Sequence, residues 1–74
     1  MDIQMGALYM HYKGSLYHTI IIAKLESNGE EMIVYRSAQT PEEVWVRPLS
    51  EFTEEIYREG KMIPRFILVN AVDE

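Results

Sequence analysis

The feature that most constrains the fold is an apolar, β-branched segment followed by a tight turn and a second segment of the same kind. Residues Leu16–Leu25 are rich in Ile, Thr and Tyr, which fit the pleated surface of a strand. Asn28-Gly29 follows, and this dipeptide favours a hairpin because both residues tolerate positive φ. Glu31–Ser37 then returns as the partner strand. The sequence therefore predicts a β-hairpin over residues 16–37.

Alternation along the first of these strands shows two apolar faces. One face is predicted to carry Tyr17, Thr19, Ile21, Ala23 and Leu25, and the other Leu16, His18, Ile20, Ile22 and Lys24. Because both sets are mostly apolar, we expect the strand to be covered on both sides, by a barrel interior on one and by a loop or a partner on the other.

Shorter segments complete the predicted fold. Strands are predicted at Tyr9–Tyr12, at Val44–Arg47 before Pro48, and at Met62–Val69, where Pro64 favours an edge or barrel-closing position. Leu49, Phe52 and Ile56 recur at helical spacing, which predicts one or two helical turns around Leu49–Phe52 and leaves an extension open. The fold class is mainly β: a small SH3-like barrel or a strongly bent sheet of about five short strands with one short helical turn. A three-stranded open sheet with a short helix is the alternative.

Length and cysteine content bound the organisation. The 74 residues suffice for one domain, 1–74, in which residues 1–7 lack a clear period and are expected to be loose, and residues 70–74 form an acidic tail. A domain this small usually needs a disulfide, a metal or a partner subunit for stability. Because the chain has no cysteine, we expect a homo-oligomer.

Charge and hydropathy exclude several classes of function. The net charge of −5 disfavours nucleic-acid binding, which needs clustered Lys and Arg. The longest apolar run, Ile20–Ala23, is too short to span a membrane and no signal peptide is visible, so we expect a cytoplasmic protein with no membrane partner. Two histidines and scattered carboxylates give no recognisable metal set, and we expect no cofactor.

Four sequence blocks occur in an order that is typical of one family. They are His11-Tyr12-Lys13-Gly14-Ser15-Leu16-Tyr17, Val34-Tyr35-Arg36, Trp45-Val46-Arg47-Pro48-Leu49 with Phe52, and Gly60 with Pro64-Arg65-Phe66. In these blocks the chain resembles the family catalogued as domain of unknown function 1653, over about Tyr9–Leu68. The resemblance implies a small bacterial or phage domain, in the bacterial or host cytoplasm, with no settled activity. The loop Ser37–Glu43 departs from the family pattern, so the ligand of this member can differ.

The first candidate binding residues precede the Gly14 turn. A glycine turn can present backbone N–H groups to an anion, and Lys13 adds a positive charge. His11 and Tyr12 would complete this group as hydrogen-bonding and ring-bearing side chains. The alternative is that His11 and Tyr12 are packed, with their polar tips hydrogen-bonded to the backbone.

Arg36, Arg47 and Arg65 each lie within an otherwise apolar strand motif. The rigid guanidinium fork matches phosphate or carboxylate, so these arginines are candidates for an anion site. The equally weighted alternative is a structural ion pair with Glu26, Glu31 or Glu51.

The aromatic candidates are Trp45, Tyr17, Tyr35 and Phe66, on which a purine ring could stack with help from a nearby arginine. Because so small a domain needs its aromatic residues for burial, we expect Trp45 and Phe66 to be core residues, and leave Tyr17 and Tyr35 open. His18, which alternates with isoleucines, is expected to be a packed or rim residue.

No signature of catalysis is present: the chain lacks a Gly-x-Ser-x-Gly elbow, a P-loop and a His-Glu-x-x-His motif. The leading hypothesis is therefore a non-catalytic module that binds a nucleotide-derived signal and, by analogy with phage anti-defence proteins, sequesters it. The alternative is a protein-interaction or oligomerisation module that has no small ligand.

Overall fold

The computed structural model describes residues 3–70, and only the backbone of Asn70. The predicted looseness of residues 1–2 and the acidic tail beyond residue 70 lie outside this range. The elements, in chain order, are β1 (Leu8–His11), β2 (Leu16–Lys24), β3 (Glu31–Ser37), β4 (Val44–Pro48), α1 (Leu49–Phe52), β5 (Glu55–Arg58), β6 (Lys61–Pro64) and β7 (Phe66–Asn70). The predicted mainly-β fold class is confirmed.

The strands form two separate antiparallel sheets. The larger one has five strands in the order β4-β3-β2-β1-β7, and the smaller one is the β5–β6 hairpin. Because β4 and β7 are the two edges and do not pair with each other, the sheet is open within residues 3–70. Of the two predicted forms, the structure therefore has the sheet and not the closed barrel.

Local sequence accounts for two of the hairpin turns. Gly29 adopts φ 76°, and its N–H donates to the Leu25 carbonyl at 2.6 Å, which closes the predicted turn between β2 and β3. The two residues between β5 and β6, Glu59 and Gly60, have φ of 52° and 80°. Positive φ at both central positions matches the right-handed twist of the flanking strands.

A β-bulge between Thr19 and Ile21 reverses the predicted faces in the second half of β2. Thr19 lies opposite Tyr35, but Ile22 lies opposite Ile33, so these four side chains share one face. We call it the inner face, and the opposite one the outer face. The prediction that Ile21 shares the face of Thr19 was wrong, because one extra residue shifts the period-two alternation.

The core lies between the inner face and the short helix. Its buried apolar residues are Ala7, Tyr9, Ile33, Tyr35, Phe52 and Phe66. Ile3 and Met5 pack against this cluster, and Ala7 is only 1% exposed. Residues 3–7, expected to be loose, are thus held by burial of their apolar side chains.

Thr19 is the buried polar residue that ties this N-terminal segment to the sheet. Its hydroxyl donates to the Gln4 carbonyl at 2.6 Å and accepts from the Ala7 N–H at 3.2 Å. Thr19→Val should lower the free energy of unfolding by about 1–3 kcal/mol, because it leaves a buried backbone donor unpaired. Urea denaturation measures this, with the exposed hydroxyl variant Ser27→Ala as control; equal stability of the two variants would contradict it.

Two predicted boundaries in the second half of the chain were wrong. The helix ends at Phe52 and residues 55–58 form β5, so the helical spacing of Ile56 was coincidental. The predicted strand Met62–Val69 is two strands that belong to different sheets. They separate at Arg65, whose N–H donates to the Glu54 carbonyl while its carbonyl accepts from the Tyr12 N–H.

The outer face is not covered by the rest of the described chain. The side chains of Met10, Ile21, Val44, Val46 and Ile67 are between 36% and 60% exposed. The prediction that β2 is covered on both sides thus holds on the inner side and not on the outer side within residues 3–70. None of the helices described there is long and apolar enough to cross a membrane.

Candidate functional site

The inner face carries a cluster of aromatic rings at the end where β1 and β7 meet. Phe52 of α1 stacks on Phe66 with 3.9 Å between ring centroids, and Tyr35 contacts both rings at 5.4 and 5.7 Å. Tyr17 lies edge-on to Tyr35 at 5.2 Å. Tyr35 and Phe66 are buried and Tyr17 is half-buried, so this cluster is a rigid floor with Tyr17 at its border.

His11 lies on this floor at the start of the β1–β2 turn. Its ring meets Phe66 edge-on at 5.0 Å and Tyr12 at 4.5 Å. The Lys13 N–H donates to Nδ1 of His11 at 3.2 Å. Because Nδ1 is the acceptor, the neutral imidazole carries its proton on Nε2, which leaves one N–H donor for a ligand.

Arg47 approaches the same floor from β4. Its Nε donates to the Tyr35 hydroxyl at 3.3 Å, and its guanidinium carbon lies 5.9 Å from the centroid of the Phe66 ring. Its terminal nitrogen is 3.5 Å from a carboxylate oxygen of Glu51. The predicted ion-pair partner Glu51 is confirmed for Arg47, although an exposed pair at this distance contributes little stability.

Arg65 lies between β6 and β7 and is the second arginine near this floor. It pairs with Glu54 and not with the predicted partners Glu26, Glu31 or Glu51. Its Nε atom is buried and has no hydrogen-bond partner among the described residues. An unpaired buried donor of this kind lowers the stability of the folded state.

Tyr12 carries two further cations on its ring. The guanidinium carbon of Arg58 lies 5.1 Å from the ring centroid, and Nζ of Lys13 lies 5.8 Å from it. Arg58 was not among the site residues predicted from the sequence. The β5–β6 hairpin brings Arg58 to Tyr12, and only the tertiary structure shows this. We call Lys13, Arg47, Arg58 and Arg65 around His11 the basic patch.

The electrostatic effect of the basic patch is visible at His11. Burial lowers the pKa of His11 below its ordinary 6.5, and the positive charges of Arg47, Arg65 and Lys13 lower it further. All of these causes disfavour the charged imidazolium. His11 is therefore neutral at pH 7 and the patch has a positive potential.

NMR titration of His11 should give a pKa below 6.5. Because the unfolded chain takes up a proton near pH 6.5 that the folded chain does not, the contribution of His11 to stability is fully present above that pH and is lost as the pH falls below it. Arg47→Gln should raise the pKa of His11 by removing a nearby charge, and His11→Gln assigns the resonance. A pKa of His11 at or above 6.5 in the wild type would contradict the geometry.

The structure separates Arg36 from the basic patch and places Trp45 next to Arg47 on the inner face of β4. Arg36 lies opposite His18 and Val44 in the sheet and is therefore on the outer face, away from the other arginines. Trp45 is on the inner face, opposite Tyr35, but it is 50% exposed on the edge strand. The expectation that Trp45 is a core residue was wrong, whereas Phe66 is buried as expected.

The basic patch is an open surface. One described recess, of about 240 Å³, borders Phe52 and Phe66 and is lined mainly by apolar side chains, including Ile3, Pro64 and Leu68. A second recess is bordered by Glu30 and Glu31 and does not suit an anion. Among residues 3–70, no group of three His, Asp or Glu side chains is placed to hold a metal ion.

These features define a small, open, mainly-β domain with a cationic and aromatic patch on an otherwise acidic chain. The model of the family described as "Protein of unknown function (DUF1653)" matches residues 7–68, and the chain belongs to this family. A crystal structure of a family protein from Bordetella bronchiseptica is similar, with a TM-score of 0.80 and 28% identity over 99% of this chain and 95% of that one. No curated protein matches the chain.

Proposed function

We propose that this domain is a non-catalytic module that binds a small anion bearing a planar ring. The carrying observation is that Lys13, Arg47 and Arg65 converge on a neutral His11 beside the rings of Tyr12 and Tyr17. Guanidinium groups bind phosphate through paired N–H donors, and a base can stack on the face of a half-buried tyrosine ring. A nucleotide-derived signal combines both chemical features.

The two carboxylates near the patch do not oppose this function. Glu51 and Glu54 are 50% and 43% exposed in their pairs with Arg47 and Arg65, so both pairs are screened by solvent and contribute little. A guanidinium has five N–H donors, so each arginine can hold its carboxylate and a phosphate together. Sequestration of the signal, with no chemical change to it, is the specific activity we propose.

A thermal-shift screen against nucleotides, cyclic dinucleotides and ADP-ribose derivatives tests the proposal. A ligand that binds only the folded state raises its stability by about 2.7 kcal/mol at a hundredfold excess over Kd. Arg47→Ala should weaken binding by about tenfold to a hundredfold, since a hydrogen bond to a charged group contributes about 1.5–3 kcal/mol.

Arg36→Ala is the matched control, because it removes the same charge from the outer face. On this proposal Arg36→Ala should change the affinity less than twofold, which corresponds to a difference in binding free energy below about 0.4 kcal/mol. Equal losses from Arg36→Ala and Arg47→Ala would show that net charge and not the basic patch determines binding. The melting temperature of each variant without ligand shows whether its fold is retained.

The exposed outer face supports a second candidate function, a protein-interaction module. Ile21 and Val46 are 55% and 60% exposed, and contiguous exposed apolar side chains are typical of interaction surfaces. In that case Ile21→Asp should abolish association with the partner and leave the ligand-induced thermal shift unchanged. Ile21 is preferred to Ile22 for this test, because Ile22 packs against the core.

A further inference from the structure

The outer edge of strand β4 has the features of a site at which another strand could pair. Val44, Trp45 and Val46 are 51%, 50% and 60% exposed, although all three are large and apolar. Edge strands are usually protected by charges, bulges or covering segments. Within residues 3–70, β4 pairs on one side with β3 and has no strand on its other side.

The register identifies the backbone groups that are free. The Ser37 N–H donates to the Glu43 carbonyl at 3.0 Å, next to the pair of Tyr35 with Trp45. Since hydrogen-bonded and non-hydrogen-bonded pairs alternate in an antiparallel ladder, Glu43, Trp45 and Arg47 direct their backbone groups to β3. Val44 and Val46 therefore direct theirs to the open edge.

We propose that a second copy of the chain pairs with this edge, β4 antiparallel to β4, about a two-fold axis at Trp45. A two-fold axis perpendicular to a strand places the copy of that strand antiparallel to it. Both subunits then use the same surface, as an isologous interface requires. With the axis at Trp45, Val44 pairs with the partner's Val46, and Val46 pairs with the partner's Val44. All free N–H and C=O groups of these two valines are then used.

Charge and chain geometry select this register over its neighbours. It places Arg47 directly opposite the partner's Glu43, and opposite charges across strands are stabilising. An axis at Val46 would need an N–H donor from Pro48, which has none. An axis at Val44 would need Glu42, which lies outside β4 in the preceding turn. Only with the axis at Trp45 do residues of β4 supply every backbone hydrogen bond of the pair.

The same register adds a side chain to the basic patch. Trp45 and the partner's Trp45 form a non-hydrogen-bonded pair, in which side chains approach most closely. Both rings would lie on the inner face, beside Arg47 of each copy. The partner's Trp45 thereby provides an aromatic wall for an otherwise open surface. The dimer does not depend on the proposed ligand, so either idea can fail without the other.

Sedimentation velocity of the full chain tests the dimer. The wild type should sediment as a dimer, and Val46→Pro as a monomer, because proline removes an edge donor and is tolerated where the N–H faces outward. Ile21→Asp, on the outer face but not on the edge, should remain dimeric. A monomeric wild type, a dimeric Val46→Pro or a monomeric Ile21→Asp would each overturn the proposal.

A charge swap tests the register even if Val46→Pro fails to fold. Glu43→Arg should raise the dissociation constant of the dimer about tenfold, since two symmetric pairs change from attraction to repulsion. Adding Arg47→Glu should restore association. Dilution of the dimer should also change the fluorescence of Trp45, the one tryptophan of the chain. Failure of the double variant to recover association would exclude this register.

Discussion

Phe52→Ala should destabilise the domain by about 3–5 kcal/mol, the usual cost of removing a buried phenylalanine. Phe52 is 2% exposed, and its ring contacts Tyr9, Tyr35 and Phe66. It is the side chain through which the four-residue helix α1 fills the inner face. Because a domain of this size is marginally stable, we expect the variant to be largely unfolded at room temperature.

Circular dichroism and urea denaturation measure this effect. Tyr57→Ala is the matched control, since Tyr57 is an aromatic residue that is 73% exposed on β5. Surface substitutions usually change stability by about 0.5 kcal/mol or less. If the two variants were equally stable, α1 would not be part of the core.

Ile33→Ala should cost about 2–5 kcal/mol, because Ile33 is 0% exposed at the centre of the inner face. Ile21→Ala removes the same atoms from a side chain that is 55% exposed and should cost much less. The low cost of Ile21→Ala tests the bulge, because strict alternation would place Ile21 on the inner face with Thr19. A larger cost for Ile21→Ala would mean that strict alternation along β2 holds after all.

Strand positions were predictable where local chemistry decides them. The limits of β3, Glu31–Ser37, were predicted without error, because Asn28-Gly29 fixes where the hairpin turns. The start of β2 at Leu16 and the helical turn Leu49–Phe52 were also correct. The division of Met62–Val69 into two strands was missed, since it depends on which sheet each half joins.

The candidate site was predictable only in part. His11, Tyr12, Lys13, Tyr17, Tyr35, Arg47 and Arg65 come together as one region of the inner face and its border. Arg36 does not, and the alternation of β3 already places it on the face opposite Tyr35. Arg58 and Glu54 carry no local signal, because they reach the patch through a hairpin that belongs to the smaller sheet.

The sequence by itself determined that the chain forms antiparallel strands, where its main hairpin turns and which residue types could bind an anion. These properties depend on β-branched side chains, on positive φ at turn glycines and on side-chain chemistry, all of which are local. The tertiary structure decided which faces those side chains occupy. One bulged residue in β2 exchanges the positions of Ile21 and Ile22, and pairing between distant strands brings Arg47 and Arg65 to His11 while it leaves Arg36 on the outer face.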